Sequence, residues 1–295
     1  MSTSGRLTKV YRQAPKICFN RGSRFIMMSD CHRGVGNMGD NFLENRHIYL
    51  AALRYYYQNG FTYLELGDGD ELWENKEMKS ILKVHAEVFE LLSAFYKEGR
   101  LYMLYGNHDM EKKKERFRKR QCSSYYCEIS GKEKEVFPNL EVYEGLVLEE
   151  CETGQQIFLV HGHQGDLLND GLWRVGRFLV RHIWRYLELL GMENPVSASG
   201  SGMKKTKVER RLMEWANTNQ QLMVAGHTHR PRFRPEEGEY YLNDGSCVRP
   251  FSVTGIEVEQ ERIRLVEWSI MTRQDNGLYV GRKVLEEGSL NFCKK

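Results

Sequence analysis

Five short apolar runs in this sequence end in side chains of the kind that bind metal ions. Each run has the length and composition of a buried strand, and each is followed at once by Asp, Asn or His. Polar and ionisable groups are unfavourable at such buried positions unless they have partners, so the five strand ends point to one shared cluster. The blocks that follow the runs are Asp30-Cys31-His32, Gly67-Asp68, Gly106-Asn107-His108-Asp109, His161-Gly162-His163 and Gly226-His227-Thr228-His229.

The residue types in these blocks favour a site for two divalent cations. Oxygen and nitrogen ligands without thiolate favour Mn, Fe or Zn over Ca or a structural zinc site. Asp68 is the candidate that bridges both ions, because the glycines on either side of it leave room near its carboxylate. Two ions about 3.5–4 Å apart would polarise a bridging water to hydroxide and hold a phosphoryl oxygen for in-line attack. The candidate ligands are two carboxylates, four imidazoles and one amide oxygen, from Asp30, His32, Asp68, Asn107, His161, His227 and His229.

His108 is not needed as a ligand, and it is therefore the candidate catalytic acid. It directly follows Asn107, so its imidazole could protonate the leaving oxygen or stabilise the charge that develops there. Asp109 is the candidate that holds this imidazole in orientation. Asp70, Glu71 and Glu74 either support the ligands from behind or form a solvated acidic turn.

The elements that must position these blocks can be predicted from the apolar pattern. Strands are predicted near residues 24–29, 61–66, 101–105, 157–160 and 222–225, and each ends at one of the blocks. Alternation along an extended chain puts Asp30 and His32 on one side and leaves Cys31 as a packing residue. Helices are predicted over 40–57 and 79–97, and further strands over 253–258 and 263–268. Residues 1 to about 20 lack clear periodicity and are expected to form a loose tail or an edge segment.

A glycine motif follows the first predicted strand but does not indicate a dinucleotide site. Residues 34–39 read G-V-G-N-M-G and fit the pattern G-x-G-x-x-G. A dinucleotide fingerprint needs its glycines immediately after the strand, whereas Asp-Cys-His-Arg intervenes here. A loop at the mouth of a site is the better interpretation.

Two basic segments could contribute to substrate binding. Residues 111–120 begin two positions beyond Asp109, the end of the third block. They form either a solvated helix face or a basic segment that attracts a polyanionic substrate. Residues 165–220 supply no ligand and are predicted to form a helical cap. Within this cap Arg174, Arg177, Arg181 and Arg185 recur at helical spacing, opposite a broad apolar face. The helix that carries this stripe is either a surface helix with extended arginines or a lid. A lid would present guanidinium groups to phosphates, or an apolar groove to a lipid chain.

Composition bounds the fold and the compartment. With 295 residues and 41% hydrophobic content, the chain can bury a large core, and we expect one domain over residues 1–295. A formal net charge of +3 does not demand a nucleic-acid or membrane partner. Seven scattered cysteines show neither zinc-ribbon spacing nor the density of a disulfide framework, and we expect a reducing cytoplasm. No run is apolar over the length of a signal peptide or a membrane span.

The five blocks, in this order, resemble those of the calcineurin-like metallophosphoesterases. Asn243-Asp244-Gly245-Ser246 also resembles the strand and turn that often follow the last block. The resemblance implies an α+β fold, a four-layer α/β/β/α sandwich of two mixed β-sheets flanked by helices. It implies that Asp30, His32, Asp68 and His229 hold one ion, and that Asp68, Asn107, His161 and His227 hold the other. Glu71 stands where the family usually has aspartate, and His163 is compatible with a position near the substrate.

The implied activity is hydrolysis of a phosphate ester or phosphoanhydride, with two divalent metal ions as cofactors, Mn first among Mn, Fe and Zn. The Asp70-Glu71-Leu72-Trp73 turn and the Arg-rich cap are similar to the branch that contains UDP-2,3-diacylglucosamine pyrophosphohydrolases. The expected substrate is a phosphorylated small molecule, a nucleotide-type compound or a lipid-linked phosphate, which leaves peripheral membrane contact open. A nuclease that acts on nucleic acid and a non-catalytic scaffold are the alternatives.

Overall fold

The computed structural model describes residues 2–128, 130–164, 202–234 and 238–290. These residues form an α+β structure with two large sheets. Its helices are α1 (Thr3–Gln13), α2 (Arg46–Gln58), α3 (Met78–Val84), α4 (Ala86–Lys97), α5 (Glu115–Gln121) and α6 (Gly202–Thr218). Its strands are β1 (Lys16–Phe19), β2 (Arg24–Met28), β3 (Thr62–Glu65), β4 (Leu101–Met103), β5 (Ser124–Cys127), β6 (Lys132–Glu135), β7 (Gly145–Glu150), β8 (Gln156–Val160), β9 (Leu222–Ala225), β10 (Tyr241–Asn243), β11 (Ser252–Glu259), β12 (Arg262–Thr272) and β13 (Leu278–Ser289).

Both large sheets are mixed. Sheet A has the strand order β1-β7-β8-β9-β10, and sheet B has the order β13-β12-β11-β2-β3-β4. In sheet B the strands β2, β3 and β4 run parallel, whereas β11, β12 and β13 pair antiparallel. In sheet A the strands β8, β9 and β10 run parallel. The carboxyl ends of parallel neighbours lie at one edge of a sheet, which is where the predicted ligand blocks begin.

The apolar side chains sort into three layers of core because successive residues of a strand face opposite sides. In β2, Phe25 and Met27 join the core between the two sheets, and Ile26 and Met28 join the core under α2, α3 and α4. The outer face of sheet A packs against α1 and α6. The predicted four-layer α/β/β/α sandwich is therefore confirmed.

The N-terminal segment is more ordered than its pattern indicated. Residues 3–13 form α1, whose start is capped by a hydrogen bond from the Gly5 N–H to Oγ of Ser2 at 3.2 Å. Leu7 and Val10 are buried against sheet A, so the prediction of a loose tail was wrong for this helix. Tyr11 packs edge to face on Phe158 and Trp215 of the same core, so α1 is docked on sheet A along one side. The prediction of an edge segment is confirmed by β1, which is the first strand of sheet A.

The helix predicted over residues 79–97 is divided at His85. His85 ends α3 and precedes α4, and its Nε2 lies 2.9 Å from Oδ2 of Asp40. His85 is buried, with 1% of its surface exposed. The hydrogen-bond partner from another part of the chain explains why a continuous apolar pattern does not give a continuous helix.

Two further differences concern the cysteines and the C-terminal region. Cys18 and Cys151 form a disulfide, with Cα atoms 5.4 Å apart, although the cysteine spacing gave no sign of a disulfide framework. The two residues are 133 positions apart in the chain, and only the pairing of β1 with β7 brings them together. The sequence after residue 271 is ambiguous in pattern, yet residues 278–289 form the long edge strand β13.

The cap predicted over residues 165–220, and with it the single-domain organisation over residues 1–295, stays a prediction. Residues 165–200 lie outside the described ranges, and so do Arg174, Arg177 and Arg181. Residues 202–218 form α6, which packs on sheet A through Val208, Leu212 and Trp215. Among the described residues, no helix combines the length and the apolar character that crossing a bilayer requires.

Candidate metal centre

The loops that carry the predicted ligands have an unusual backbone. Five of the seven predicted ligands have positive φ angles: Asp30 (53°), His32 (48°), Asp68 (51°), His227 (66°) and His229 (57°). This conformation is uncommon for residues other than glycine, although Asp, Asn and His adopt it more readily than most. Such strain, of order 1–3 kcal/mol per residue, persists where the surrounding structure imposes it and is typical of functional sites.

This backbone corrects the sequence argument for Asp30 and His32. The two residues were predicted to share a side because the chain would be extended, but both are left-handed. They are held by hydrogen bonds from Asp30 N to Gly67 O at 3.0 Å and from His32 N to Asp68 O at 2.9 Å. The side chains meet nonetheless, and Cys31 between them is buried as predicted.

The first group of converging ligand atoms comes from Asp30, His32 and His229. The candidate ligand atoms of these three residues all lie within 4.8 Å of one another. Oδ1 of Asp30 lies 3.0 Å from Nε2 of His229 and 3.7 Å from Nε2 of His32. Because Asp30 and His32 follow β2 in sheet B and His229 follows β9 in sheet A, this group spans both sheets.

The second group comes from Asp68, His161 and His227, whose candidate ligand atoms also lie within 4.8 Å of one another. Oδ2 of Asp68 lies 3.2 Å from Nε2 of His161 and 3.9 Å from Nε2 of His32. This oxygen therefore lies near an imidazole of each group, as a bridging ligand would. Oδ1 of Asp68 accepts a hydrogen bond from the His108 N–H at 2.8 Å, which holds the Asn107-His108 backbone beside the two groups.

Four predicted ligands present buried atoms that lack a suitably placed hydrogen-bond partner among the described residues. They are Oδ1 of Asp30, Nε2 of His32, Oδ1 of Asn107 and Nε2 of His161. Burying a polar atom without a hydrogen-bond partner costs free energy, so each of these four atoms needs an explanation. All four atoms can donate a lone pair to a cation, so the residues fit a pair of divalent metal ions.

Contacts from behind orient two of the imidazoles. Nδ1 of His161 donates to the carbonyl oxygen of Leu66 at 2.9 Å, and Nδ1 of His32 donates to Oε2 of Glu71 at 3.0 Å. A proton on Nδ1 leaves the lone pair on Nε2, which is the atom that faces the neighbouring ligands. Glu71 thus takes the supporting role rather than that of a solvated turn.

Two glycines make room for these side chains. A Cβ at Gly106 would lie 2.1 Å from Oδ1 of Asp68, and a Cβ at Gly226 would lie 2.1 Å from Oγ of Ser29. Both distances are far below contact distance. The glycines in these two blocks are therefore required by the close approach of the loops.

The electrostatic field of the site favours cations. Burial lowers the pKa of His161, but the carboxylates of Asp68 and Asp30 outweigh burial and raise it to about 9. Burial also lowers the pKa of His108, and here the carboxylates of Glu71 and Asp68 raise it above its usual value. Carboxylates strong enough to retain protons on buried imidazoles would also stabilise bound metal ions.

His108 is enclosed by three neighbours. Its Nδ1 lies 2.7 Å from Oε2 of Glu71, at an angle that departs from a regular hydrogen bond. Its ring stacks on Trp73 at 4.3 Å and meets His32 edge to face at 4.6 Å. The His108 side chain is 12% exposed, whereas the His32 side chain is 5% exposed. His108 is therefore the more accessible of the two imidazoles.

Asp109 does not orient His108, which corrects the sequence prediction. Its Oδ1 accepts from the Gly106 N–H at 2.7 Å, and its Oδ2 accepts from the Gly69 N–H at 3.2 Å. These bonds join the loop that carries Asn107 to the loop that carries Asp68. The carboxylate that contacts Nδ1 of His108 belongs to Glu71 instead. A carboxylate one residue from an imidazole is easily assigned to it from sequence, although local backbone donors compete for the same oxygens.

A buried charge network lies behind the two loops. Arg33 donates two hydrogen bonds to Glu65 and one to Asp70, and Nζ of Lys112 lies 2.5 Å from Asp70 and 2.8 Å from Asp109. All five side chains are at most 2% exposed. Burial raises the pKa of Asp70, but Arg33 and Lys112 outweigh burial and lower it to about 2. Lys112 belongs to the basic segment 111–120, and its neighbours Lys113, Lys114 and Arg116 are exposed whereas Lys112 is buried.

His163 is buried next to the second group. Its ring lies 5.4 Å from the ring of His161, and neither of its nitrogens has a hydrogen-bond partner among the described residues. Burial, and then the nearby His161 and His227, lower its pKa well below the usual value. The imidazole of His163 is therefore neutral at physiological pH.

Comparisons with known proteins relate the sequence to one family. A sequence profile described as calcineurin-like phosphoesterase matches residues 23–231, a range that contains all seven predicted ligands and His108. No curated protein sequence matches the chain. Among solved structures, vacuolar protein sorting 29 from Cryptosporidium parvum is 16% identical, with a TM-score of 0.40 over 91% of this chain and 98% of that chain. Vps29 from Chaetomium thermophilum is 12% identical, with a TM-score of 0.41 over the same shares. At such TM-scores the likeness has no bearing on activity.

Proposed function

The chain belongs to the calcineurin-like phosphoesterase family, and on that basis we propose that it is a metal-dependent hydrolase of a phosphate ester or phosphoanhydride. The observation that supports the proposal is a set of buried lone-pair atoms at Asp30, His32, Asn107 and His161 that lack a suitably placed hydrogen-bond partner among the described residues. A protein that had no use for metal ions would gain nothing from leaving these atoms unsatisfied.

The proposed cofactors are two divalent ions, with Mn first and Fe or Zn as alternatives. Asp30, His32, Asp68 and His229 would hold one ion, and Asp68, Asn107, His161 and His227 would hold the other. When bound, such a pair supplies Lewis-acid polarisation of a phosphoryl oxygen and a nucleophilic oxygen at neutral pH. The 3.2 Å and 3.9 Å distances from Oδ2 of Asp68 to the two imidazoles support its proposed bridging position.

His108 is the proposed general acid. With Nδ1 next to Glu71, the proton on Nε2 is the one that remains for the leaving oxygen. The carboxylate of Glu71 stabilises the protonated imidazole, which is the form needed at the start of the reaction. Asp109 would contribute indirectly, because it joins the loops of Asn107 and Asp68 through Gly106 and Gly69.

The proposed substrate is a phosphorylated small molecule, a nucleotide-type compound or a lipid-linked phosphate. Arg174, Arg177 and Arg181 in the predicted cap remain proposed phosphate contacts. His163 is a further proposed contact, because its neutral imidazole has its ring centre 5.4 Å from that of His161, and neither of its nitrogens has a hydrogen-bond partner within the described ranges. A cytoplasmic location is likewise proposed, and the Cys18–Cys151 disulfide is the one observation that weighs against a reducing compartment.

The test is hydrolysis by Mn-loaded protein of matched panels of phosphomonoesters, phosphodiesters and diphosphates such as nucleotide sugars. Asp68→Asn should abolish turnover, and His108→Ala should slow turnover about 10²–10⁴-fold while both ions remain bound. Asp275→Asn, in an exposed turn, is the control. Cleavage of one panel would support the proposal and define the bond type. Cleavage of nucleic acid with steep salt dependence would favour a nuclease, and two bound ions without cleavage of any panel would favour the scaffold alternative.

A further inference from the structure

The indole of Trp73 contacts two residues of the candidate centre at once. Its ring stacks on the imidazole of His108, with ring centres 4.3 Å apart and an angle of 19° between the planes. Its Nε1–H donates a hydrogen bond to the carbonyl oxygen of Asn107 at 2.5 Å. The side chain is 1% exposed, so both contacts are shielded from water.

Trp73 is itself held firmly. Its backbone N–H donates to Oε1 of Glu71 at 3.1 Å, and its side chain packs against Tyr105 and Met110. The other oxygen of Glu71 is the one that lies 2.7 Å from Nδ1 of His108. The short segment 71–73 therefore contacts the imidazole twice, at its edge through a carboxylate and on its face through an indole.

We propose that Trp73 is a positioning residue that fixes the imidazole plane of His108 and the backbone of Asn107 as one unit. The inference rests on the proposed function, because it assigns a role in delivering a proton to the leaving oxygen. It differs from a packing role in what it predicts: loss of the indole should affect proton delivery more than any other part of the reaction.

The physical reason is the freedom of the imidazole ring. Rotation about the Cβ–Cγ bond of histidine has broad minima, so a nearby carboxylate alone leaves the ring plane poorly defined. A stacked indole permits only ring planes nearly parallel to its own. Proton transfer requires a heavy-atom distance of about 2.6–3.2 Å, and a misplacement of about 1 Å can slow a reaction about 100-fold.

The chain offers graded variants and a matched control. Trp73→Phe retains an aromatic face but removes the N–H that reaches Asn107, and Trp73→Leu removes both contacts. Trp268 is a second buried indole, 5% exposed, whose Nε1–H donates to Oη of Tyr56 at 2.9 Å in the core under α2. Trp268→Phe therefore removes the same kind of hydrogen bond at a place with no contact to the candidate centre.

The experiment compares two esters of the class that the wild-type protein hydrolyses, one with a 4-nitrophenyl and one with an alkyl leaving group. The nitrophenolate leaves without protonation, whereas the alkoxide needs a proton. With Trp73→Leu we expect kcat to fall about 10–100-fold for the alkyl ester and less than about threefold for the nitrophenyl ester. Trp73→Phe should show a smaller loss with the same selectivity, and Trp268→Phe should show neither loss.

A second measurement does not require turnover. Calorimetric titration with Mn²⁺ should show that Trp73→Phe lowers the affinity for one of the two ions about tenfold, because the hydrogen bond that supports the Asn107 backbone is lost. Trp268→Phe should bind both ions as the wild type does. An equal loss of kcat with both esters, or unchanged kinetics and unchanged Mn²⁺ affinity, would overturn the positioning role.

The outcomes also separate this inference from the proposed function. A wild-type protein that binds two ions and cleaves no compound of the three panels contradicts the proposed hydrolase and the proton-delivery part of the role. The Mn²⁺ titration of Trp73→Phe then decides the Asn107 part: a weakened ion supports it, and an unchanged affinity overturns it. A wild-type protein that hydrolyses both esters, with no leaving-group selectivity in the variants, contradicts the inference alone.

Discussion

Nζ of Lys112 lies 2.8 Å from Oδ2 of Asp109, and neither side chain is more than 2% exposed. The same ammonium group lies 2.5 Å from Asp70, so a residue from the basic segment is directed into the protein rather than toward solvent. Through Asp109, which binds the N–H groups of Gly106 and Gly69, the lysine supports the loops of Asn107 and Asp68. The stability of the candidate centre therefore depends on a charge that does not touch it.

Lys112→Met should lower the free energy of unfolding by about 3–5 kcal/mol, because it leaves three buried carboxylates with Arg33 as their one remaining cation in the described network. Urea unfolding of the metal-free protein is the measurement. Lys119→Met is the control, since Lys119 pairs with Glu115 at 2.6 Å on the exposed face of α5 and should be neutral. Equal unfolding midpoints for the two variants would show that the buried network does not support the loops.

Asp68→Asn and Asp30→Asn should differ in metal stoichiometry. Oδ2 of Asp68 lies near imidazoles of both groups, whereas Asp30 belongs to the first group alone. We expect Asp68→Asn to lower the affinity for both ions by more than about 100-fold, which is more than the loss of a supporting partner causes. Asp30→Asn should lower the affinity for one ion. Calorimetric titration with Mn²⁺ measures both values. If Asp68→Asn still bound one Mn²⁺ ion with wild-type affinity, the proposed bridging role of Asp68 would be wrong.

Gly106→Ala should abolish metal binding. The added Cβ would lie 2.1 Å from Oδ1 of Asp68 and 2.7 Å from its backbone nitrogen, so a loop would have to shift. Gly22→Ala is the control, because its Cβ would meet Oδ1 of Asn20 at 3.3 Å, and that exposed side chain can move. Metal content and the unfolding midpoint should fall in the first variant alone. Normal Mn²⁺ affinity in Gly106→Ala would show that the loops are less tightly opposed than described.

Asp40→Asn should destabilise the protein in a pH-dependent manner. Burial raises the pKa of Asp40, but the contact with His85 and hydrogen bonds from the loop before it outweigh burial, and the pKa is lowered. A carboxylate with a lowered folded pKa contributes stability above its unfolded pKa of about 4, and this contribution is lost as the pH falls through the folded value. We expect a deficit of about 1–3 kcal/mol at pH 7 and a smaller one at pH 3.

Urea unfolding of Asp40→Asn at pH 7, 5 and 3 measures this dependence. Asp275→Asn is the control, because Asp275 also accepts a backbone N–H, from Gly277 at 2.9 Å, but in an exposed turn. Its effect should be small at every pH. A deficit for Asp40→Asn that is as large at pH 3 as at pH 7 would mean that the ionised carboxylate is not what holds the loop before α2.

The strands and the ligand blocks could be predicted from sequence because both depend on local pattern. Short apolar runs that end in Asp or His indicate buried strand ends, and the structure brings these ends together. The pairing of side chains within the site could not be predicted in the same way. Glu71 and Asp109 are both carboxylates near His108, and the backbone N–H groups of Gly69 and Gly106 decide which of them faces the imidazole.

The burial of individual charges was equally inaccessible from sequence. Lys112 lies among six other basic residues in residues 111–120, and nothing in its immediate neighbours distinguishes it from them. Its partners Glu65 and Asp70 come from other elements, so a three-dimensional contact determines its environment. The contacts of Trp73 could not be predicted for the same reason, because His108 and Asn107 belong to a different loop.

The left-handed backbone at Asp30, His32, Asp68, His227 and His229 also limits how such a centre can decay during evolution. A lineage that no longer used the ions could replace these residues by Asn or Gly with little disturbance of the loops, but not by Val or Ile. The shape of the loops would then outlast their chemistry. Degenerate relatives of this protein should therefore be sought by Asn or Gly at the five positions rather than by the ligands themselves.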